Sequence, residues 1–289
     1  MRIRATVAAV SGALALSALA VPAAQADPQG DAGVSKPTAA ERWGVSPGKS
    51  SVSGVRPDEL PKVSKVTING GKNIVVGTTY AKTFTVSVTA SHPSGIADAY
   101  IDLWHGEGPG EGEYDGALVS DAEAADCTAS SATTSTCKLS ITATPGYDLY
   151  ANLLAGTWHV TTGVLAGDGT NVYWNDYQAT HRVQRNSTLT VNAAPEPVKK
   201  GKTITVTGKL ARANWEDFKY HGYTGQPVKL QFRKKGTNTY TTLKTIKTNS
   251  TGNLSTTVKA STDGYFRYSF AGTSTTPAIT TAGDFVDVQ

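Results

Sequence analysis

Cysteine is almost missing from this 289-residue sequence, which has only Cys127 and Cys137. No further Cys and no H-x-x-x-H pair accompanies them among the five His, so a zinc centre is not expected. Charge is scarce as well, at 17% of residues, while Thr, Ser, Gly and Val are abundant. That balance favours β-rich modules, because β-branched side chains pack well on a pleated surface. Long apolar runs are also missing after Ala5–Val21, and that run is too short and too rich in Ala and Ser to anchor the chain in a membrane.

What the first apolar run does fit is export. Arg2 and Arg4 precede it, and Ala24-Gln25-Ala26 closes it with the small-x-small pattern of a cleavage site. Residues 1–26 are therefore read as a signal peptide. No Cys follows the cut, so a lipid anchor is not expected, and an extracellular, secreted monomer is. Residues 27–61 carry Pro, Gly, Ser, Ala and charge without apolar periodicity and are read as a disordered leader. Within it, Gly44-Val45-Ser46-Pro47-Gly48 matches a nucleophile-elbow pattern by chance, since no buried strand precedes it.

From Val63 onward, apolar residues alternate with polar ones in short runs separated by turn residues, as strands do. Phe84, Val86 and Val88 are one such set; Val228, Leu230 and Phe232 are another. The expected fold is all-β: two immunoglobulin-like β-sandwich domains in tandem, an acidic one over 62–186 and a basic one over 187–289. Residues 27–186 hold 11 Lys and Arg against 17 Asp and Glu; residues 187–289 hold 14 against 6. A weak internal repeat supports duplication. Lys82-Thr83-Phe84-Thr85-Val86 echoes Lys202-Thr203-Ile204-Thr205-Val206, and Gly156-Thr157-Trp158-His159-Val160 echoes Gly264-Tyr265-Phe266-Arg267-Tyr268. Short helical turns are expected at 147–154 and 213–220.

Nine residues separate Cys127 from Cys137, a spacing suited to neighbouring hairpin strands, so a disulfide is expected in an oxidising compartment.

Between Lys82 and Lys138 there is no Lys or Arg, yet nine carboxylates. A Gly-rich stretch, 106–116, interleaves three Glu and one Asp. Oxygen ligands on a pliant backbone suit Ca²⁺, which makes Asp102, Glu107, Glu111, Glu113, Asp115 and Asp126 candidate ligands, with Asp168 and Asp176 a second set. No EF-hand spacing is present, and the Glu residues would repel a phosphate. Trp104, Trp158, Trp174, Asp168 and Asp176 offer the parts of a cell-wall or polysaccharide hydrolase, but no catalytic constellation emerges, so a non-enzymatic protein is expected. In the basic half, Lys229, Arg233, Lys234 and Lys235 mark a strand able to attract an anionic cell-wall polymer or surface glycan. Nucleic acid is not expected as a partner outside the cell. A structural spacer without a ligand is the remaining alternative.

Three segments carry a resemblance: Pro195-Glu196-Pro197-Val198-Lys199-Lys200-Gly201, Gln226 through Arg233, and Asp263 through Thr273. Residues 187–289 resemble the immunoglobulin-like modules at the C-termini of secreted actinobacterial proteins. The resemblance implies a β-sandwich, with calcium binding as its usual label, and brings no catalytic motif.

Overall fold

In the computed structural model, residues 36–45 and 60–289 are described. The expected signal peptide lies outside them, as do leader residues 27–35 and 46–59, including Ser46.

Nine strands build the first half: β1 (Lys62–Ile68), β2 (Ile74–Val76), β3 (Lys82–Ser91), β4 (Ile96–Gly106), β5 (Tyr114–Leu118), β6 (Asp126–Ala129), β7 (Thr134–Ala143), β8 (Gly156–Ala166) and β9 (Val172–Arg185). They form two sheets, ordered β1-β3-β7-β6 and β2-β9-β8-β4-β5. Every ladder is antiparallel except β2 with β9. β1 and β2, consecutive in the chain, thus belong to different sheets. Alternation fixes which face is inside. Phe84, Val86 and Val88 of β3 meet Ala99, Ile101 and Leu103 of β4 and Trp158, Val160 and Val164 of β8 in one core. Each Val, Leu, Ile or Phe among them contributes roughly 1.5–3 kcal/mol on leaving water. Cys127 and Cys137 stand opposite each other on β6 and β7 and form the expected disulfide, with Cα atoms 3.9 Å apart.

The second half adds β10 (Ser187–Leu189), β11 (Asn192–Ala194), β12 (Thr203–Asn214), β13 (Lys219–Gly222), β14 (Pro227–Lys234), β15 (Thr241–Lys247), β16 (Asn253–Lys259), β17 (Gly264–Phe270), β18 (Ile279–Thr280) and β19 (Asp284–Val286). β10, β11, β13 and β16 all pair with β12 in one sheet, while β15-β14-β17-β18, with β19 also on β17, makes the other. Ile204, Val206, Val228, Leu230, Leu254, Phe266 and Tyr268 fill a second core. Tyr268 keeps its hydroxyl satisfied there by donating to Val206 O at 2.9 Å. The internal repeat falls on corresponding strands. β3 and β12 each lie within the first sheet of their half, and β8 and β17 lie between partners in the second.

The region 213–220 departs from the expected helical turn. β12 and β13 form a hairpin across it, with Ala213 opposite Tyr220 and Phe218 at φ +60 in the turn. The hairpin carries Trp215 out of its own half. Ala213 and Trp215 are buried in the first core, and Trp215 Nε1 donates to Val76 O at 3.4 Å. The expected domain junction is correspondingly well bonded. Arg185 N donates to Thr275 O, Asn186 N to Val76 O, and Ala213 N to Asn186 O. At 147–154 a short 3₁₀ turn, Asn152–Leu154, does occur.

The leader is not without structure throughout. Residues 39–43 form a five-residue helix, α1 (Ala39–Trp43), capped at both ends. Thr38 accepts from Glu41 N, the Glu41 carboxylate accepts from Thr38 N at 2.7 Å, and Gly44 ends the helix at φ +69. A helix this short does not hold itself in water; its packing on β4, β8 and β9 supplies what propensity cannot.

Candidate functional site

The six carboxylates expected to converge on calcium are not gathered. Asp102 is buried on β4. Glu107, Glu111 and Glu113 lie in the loop to β5, where Glu113 folds back to accept from Gly110 N at 3.2 Å. Asp115 on β5 bonds the His105 ring at 2.6 Å. Asp126 is on β6, in the other sheet, opposite Lys138. Among the described residues no group of three or more His, Cys, Asp or Glu could hold a metal ion. Nor do Asp168 and Asp176 share a partner. Asp168 accepts from Thr170 and Asn171 within the β8–β9 turn and from Ser94 in the β3–β4 turn, whereas Asp176 bonds Lys36, Thr161 and Trp174. Of the proposed sugar-binding aromatics, Trp158 is core, and its Nε1 donates to Leu154 O at 2.7 Å.

What the fold does assemble lies on the outer face of β4, β8 and β9. With Ala99, Ile101 and Leu103 pointing inward, period two sends Asp98, Tyr100, Asp102 and Trp104 outward. An outward row is ordinarily wet, yet all four are buried. Segment 36–45 covers Asp98, Tyr100 and Asp102. Trp43 donates to Asp98 Oδ2 at 2.8 Å, Arg42 bonds the same oxygen at 3.3 Å, and the Arg42 guanidinium lies 5.0 Å over the Tyr100 ring. Trp174 stacks on Tyr100 at 5.3 Å and meets the edge of Trp43 at 5.8 Å. Gly163 on β8 makes this approach possible, since a Cβ there would sit 2.6 Å from Trp174 and 2.9 Å from Trp43.

At the centre, Lys36 Nζ lies 2.5 Å from Asp176 Oδ1, 3.9 Å from Asp102 Oδ2 and 5.7 Å from the Trp174 ring centre. Thr161 donates to Asp176 Oδ1 at 3.2 Å and Tyr100 donates to Asp102 Oδ2 at 2.9 Å. Burial pushes the Asp102 carboxyl up to about 6, against the Lys36 ammonium and the Thr161 and Tyr100 hydroxyls, which favour the charged form. Beside this group, Trp104 stacks on His159 at 4.4 Å and Tyr177 stands edge-on to both.

None of Lys36, Arg42, Trp43, Asp98, Tyr100 or Thr161 stands out in the sequence as a site residue. Two signals do point to them. Thr38-Ala39-Ala40-Glu41 is a capping-box pattern, and Asp98-x-Tyr100-x-Asp102-x-Trp104 puts bulky aromatic and charged groups on alternate positions opposite a wholly apolar row.

The basic residues of the second half fall partly on one face. Lys229 and Arg233 point outward from β14, and Arg233 stands opposite Tyr265 of β17. Lys234 is exposed at the end of β14, and Lys235, in the turn beyond, pairs with Asp263 at 3.3 Å. Both border a hollow of about 480 Å³ that Lys200 and Ser261 also line. Arg267 belongs to the same face, though the basic β14 run alone did not reveal it. Its guanidinium lies 3.6 Å over Tyr240, and that of Arg233 lies 4.1 Å over Tyr265. Stacking occupies the flat face of a guanidinium and leaves its edge donors for hydrogen bonds; one of them, Arg233 Nη1, donates to Thr237 O. Arg267 Nε is held by Gln231 at 2.8 Å. β14, β15 and β17 contain no Asp or Glu.

No curated protein matches the chain. Among solved structures, fibronectin(III)-like modules of Clostridium thermocellum CbhA share 10% identity over 78% of this chain and 93% of theirs, with a TM-score of 0.31. A chimeric titin Z1Z2 tandem shares 12% over 79% of this chain and 99% of its own, at 0.27. Latent PorU from Porphyromonas gingivalis shares 13% over 80% of this chain, at 0.29, and this chain spans 20% of that one. Likenesses this distant carry no argument about activity. Residues 75–166 match the model of a family described as "Family of unknown function (DUF5707)". The match runs from β2 to the end of β8, so it contains Asp98, Tyr100 and Asp102 and excludes Lys36, Asp176 and the second sandwich.

Proposed function

We propose that the protein is an exported, non-enzymatic interaction module whose second sandwich engages an anionic surface polymer through the outer face of β14, β15 and β17. The observation that carries this reading is the pairing of Arg233 with Tyr265 and of Arg267 with Tyr240, the residue just before β15, on a face whose strands β14, β15 and β17 are free of carboxylates. Phosphates or carboxylates repeating along a polymer would meet the guanidinium edges, while sugar or glycerol units rest on the rings between them. Such a face also speeds encounter with a polyanion. Export fits the disulfide, since such bonds persist in oxidising compartments. The calcium reading draws no comparable support, because its candidate ligands are spread over two sheets and a loop.

Titration calorimetry with poly(glycerol phosphate) tests the proposal. Arg233→Gln with Arg267→Gln should weaken binding at least about tenfold, roughly 1.4 kcal/mol. Lys259→Gln, on β16 in the other sheet, should leave it near wild type. Equal effects from the two would mean that net charge alone attracts the polymer. No binding by wild type would leave the spacer reading in place.

A further inference from the structure

The outer face of β4, β8 and β9 has more negative charge than its occupant neutralises. Two carboxylates, Asp102 and Asp176, face one ammonium. Lys36 reaches Asp176 closely but stops 3.9 Å short of Asp102. Its reach is set by the strap that delivers it, because Lys36 N is held by the Tyr114 hydroxyl at 3.2 Å. Asp102 is fully buried, and its Oδ1, cut off from solvent, has no hydrogen-bond partner among the described residues, the Thr161 hydroxyl being donated to Asp176 Oδ1. A buried carboxylate oxygen without a donor is costly. An ammonium carries three N–H donors, and one seated slightly deeper could satisfy Asp176 and Asp102 together. One wall suits such a guest: Trp174 presents an aromatic face, which attracts cations.

We propose that this face is a binding site for a primary alkylammonium group, and that Lys36 is an occupant supplied by the chain itself and replaceable by one from outside. An amine could reach the site on a lysine side chain of a peptide or as a free small molecule; both offer the same ammonium on an alkyl stem. Segment 36–45 then acts as a ligand in cis, with Arg42 and Trp43 securing it on Asp98.

Chemical rescue tests this in the full chain. Lys36→Ala removes the ammonium and leaves a slot shaped for its stem. n-Butylammonium should raise the Tm of this variant by a few degrees, saturably and at concentrations on the order of 1–10 mM. It should do little to wild type. n-Butanol and sodium chloride at the same concentrations should not reproduce the rise, and Lys36→Ala with Asp102→Asn should lose most of it. If Lys36→Ala does not fold alone, recovery of the fold on refolding with n-butylammonium reads the same effect. A capped peptide of residues 36–45, added to a Lys36→Ala/Trp43→Ala chain, separates the two sources. Stabilisation beyond that given by n-butylammonium assigns a lysine-bearing peptide, and equal stabilisation assigns a free amine. A Tm indifferent to n-butylammonium, a rise matched by n-butanol, or failure to recover the fold with the amine would overturn the proposal.

Discussion

Lys36 and Asp176, 140 residues apart in sequence, make a 2.5 Å ion pair on the outside of a β-sandwich. The pair is possible because β9 bulges against β8 between the Val160 and Thr162 pairings, which brings Asp176 beside Thr161. It fastens a short helix that would not persist alone, and it converts an outer sheet face into a covered one.

Gly163 is the steric key to that cover. Gly163→Ala would drive a methyl into the rings of Trp174 and Trp43. Overpacking of this kind costs about 1–3 kcal/mol. Trypsin should then cut after Arg42 about tenfold faster or more, because cleavage follows the population of the open form. Mass spectrometry of a timed digest reads the outcome; an unchanged rate would mean that α1 does not depend on the Trp43–Trp174 contact.

The strands were largely legible in the sequence because period-two alternation reports directly on a half-buried sheet. Phe84-x-Val86-x-Val88 and Val228-x-Leu230-x-Phe232 sit inward as expected. The calcium cluster was not legible in the same way, because nearness along the chain ignores pairing. Asp102 and Asp126 go to different sheets, and Asp115 turns to His105. The order in 36–45 was hidden for a different reason: its stability comes from residues 55 to 140 positions away, which local composition does not report. Trp215 misled similarly, since its apolar surface belongs to the core of the other half.

Asp102 should make stability depend on pH in a direction unusual for a carboxylate. Its folded pKa, about 6, lies above the ordinary 3.8. The neutral form is therefore favoured by folding. That contribution is complete below about pH 4 and is lost as pH rises through about 6, amounting to roughly 3 kcal/mol. Asp102→Asn holds the group neutral throughout. Relative to wild type, the variant should gain stability between pH 4 and 7.5 in urea melts. A constant difference across that range would show that Asp102 is not desolvated as described.

Trp215→Ala should destabilise the half to which the residue does not belong in sequence. Truncating a fully buried Trp costs about 3–5 kcal/mol. The void would open beside Val76 and the 3₁₀ turn at Asn152–Leu154. Hydrogen exchange should quicken in β2 and β9 ahead of β14 and β17; uniform quickening would mean that the two cores unfold as one.

The disulfide should leave no thiol to label in denatured, unreduced protein. Reducing it should cost roughly 3 kcal/mol by loop-closure entropy, seen as a lower urea midpoint. Two labelled thiols would exclude the bond.

The salt dependence of polymer binding bears most directly on the proposed role. Fields from Arg233, Arg267 and Lys229 reach about 10 Å at 0.1 M salt and about 3 Å at 1 M. The affinity of the full chain for poly(glycerol phosphate) should fall more than about tenfold between 20 and 500 mM NaCl, chiefly through slower association. Arg233→Gln with Arg267→Gln should flatten that dependence. Binding that ignores salt, or a salt dependence that survives the double substitution unchanged, would contradict an anionic-polymer face on β14, β15 and β17.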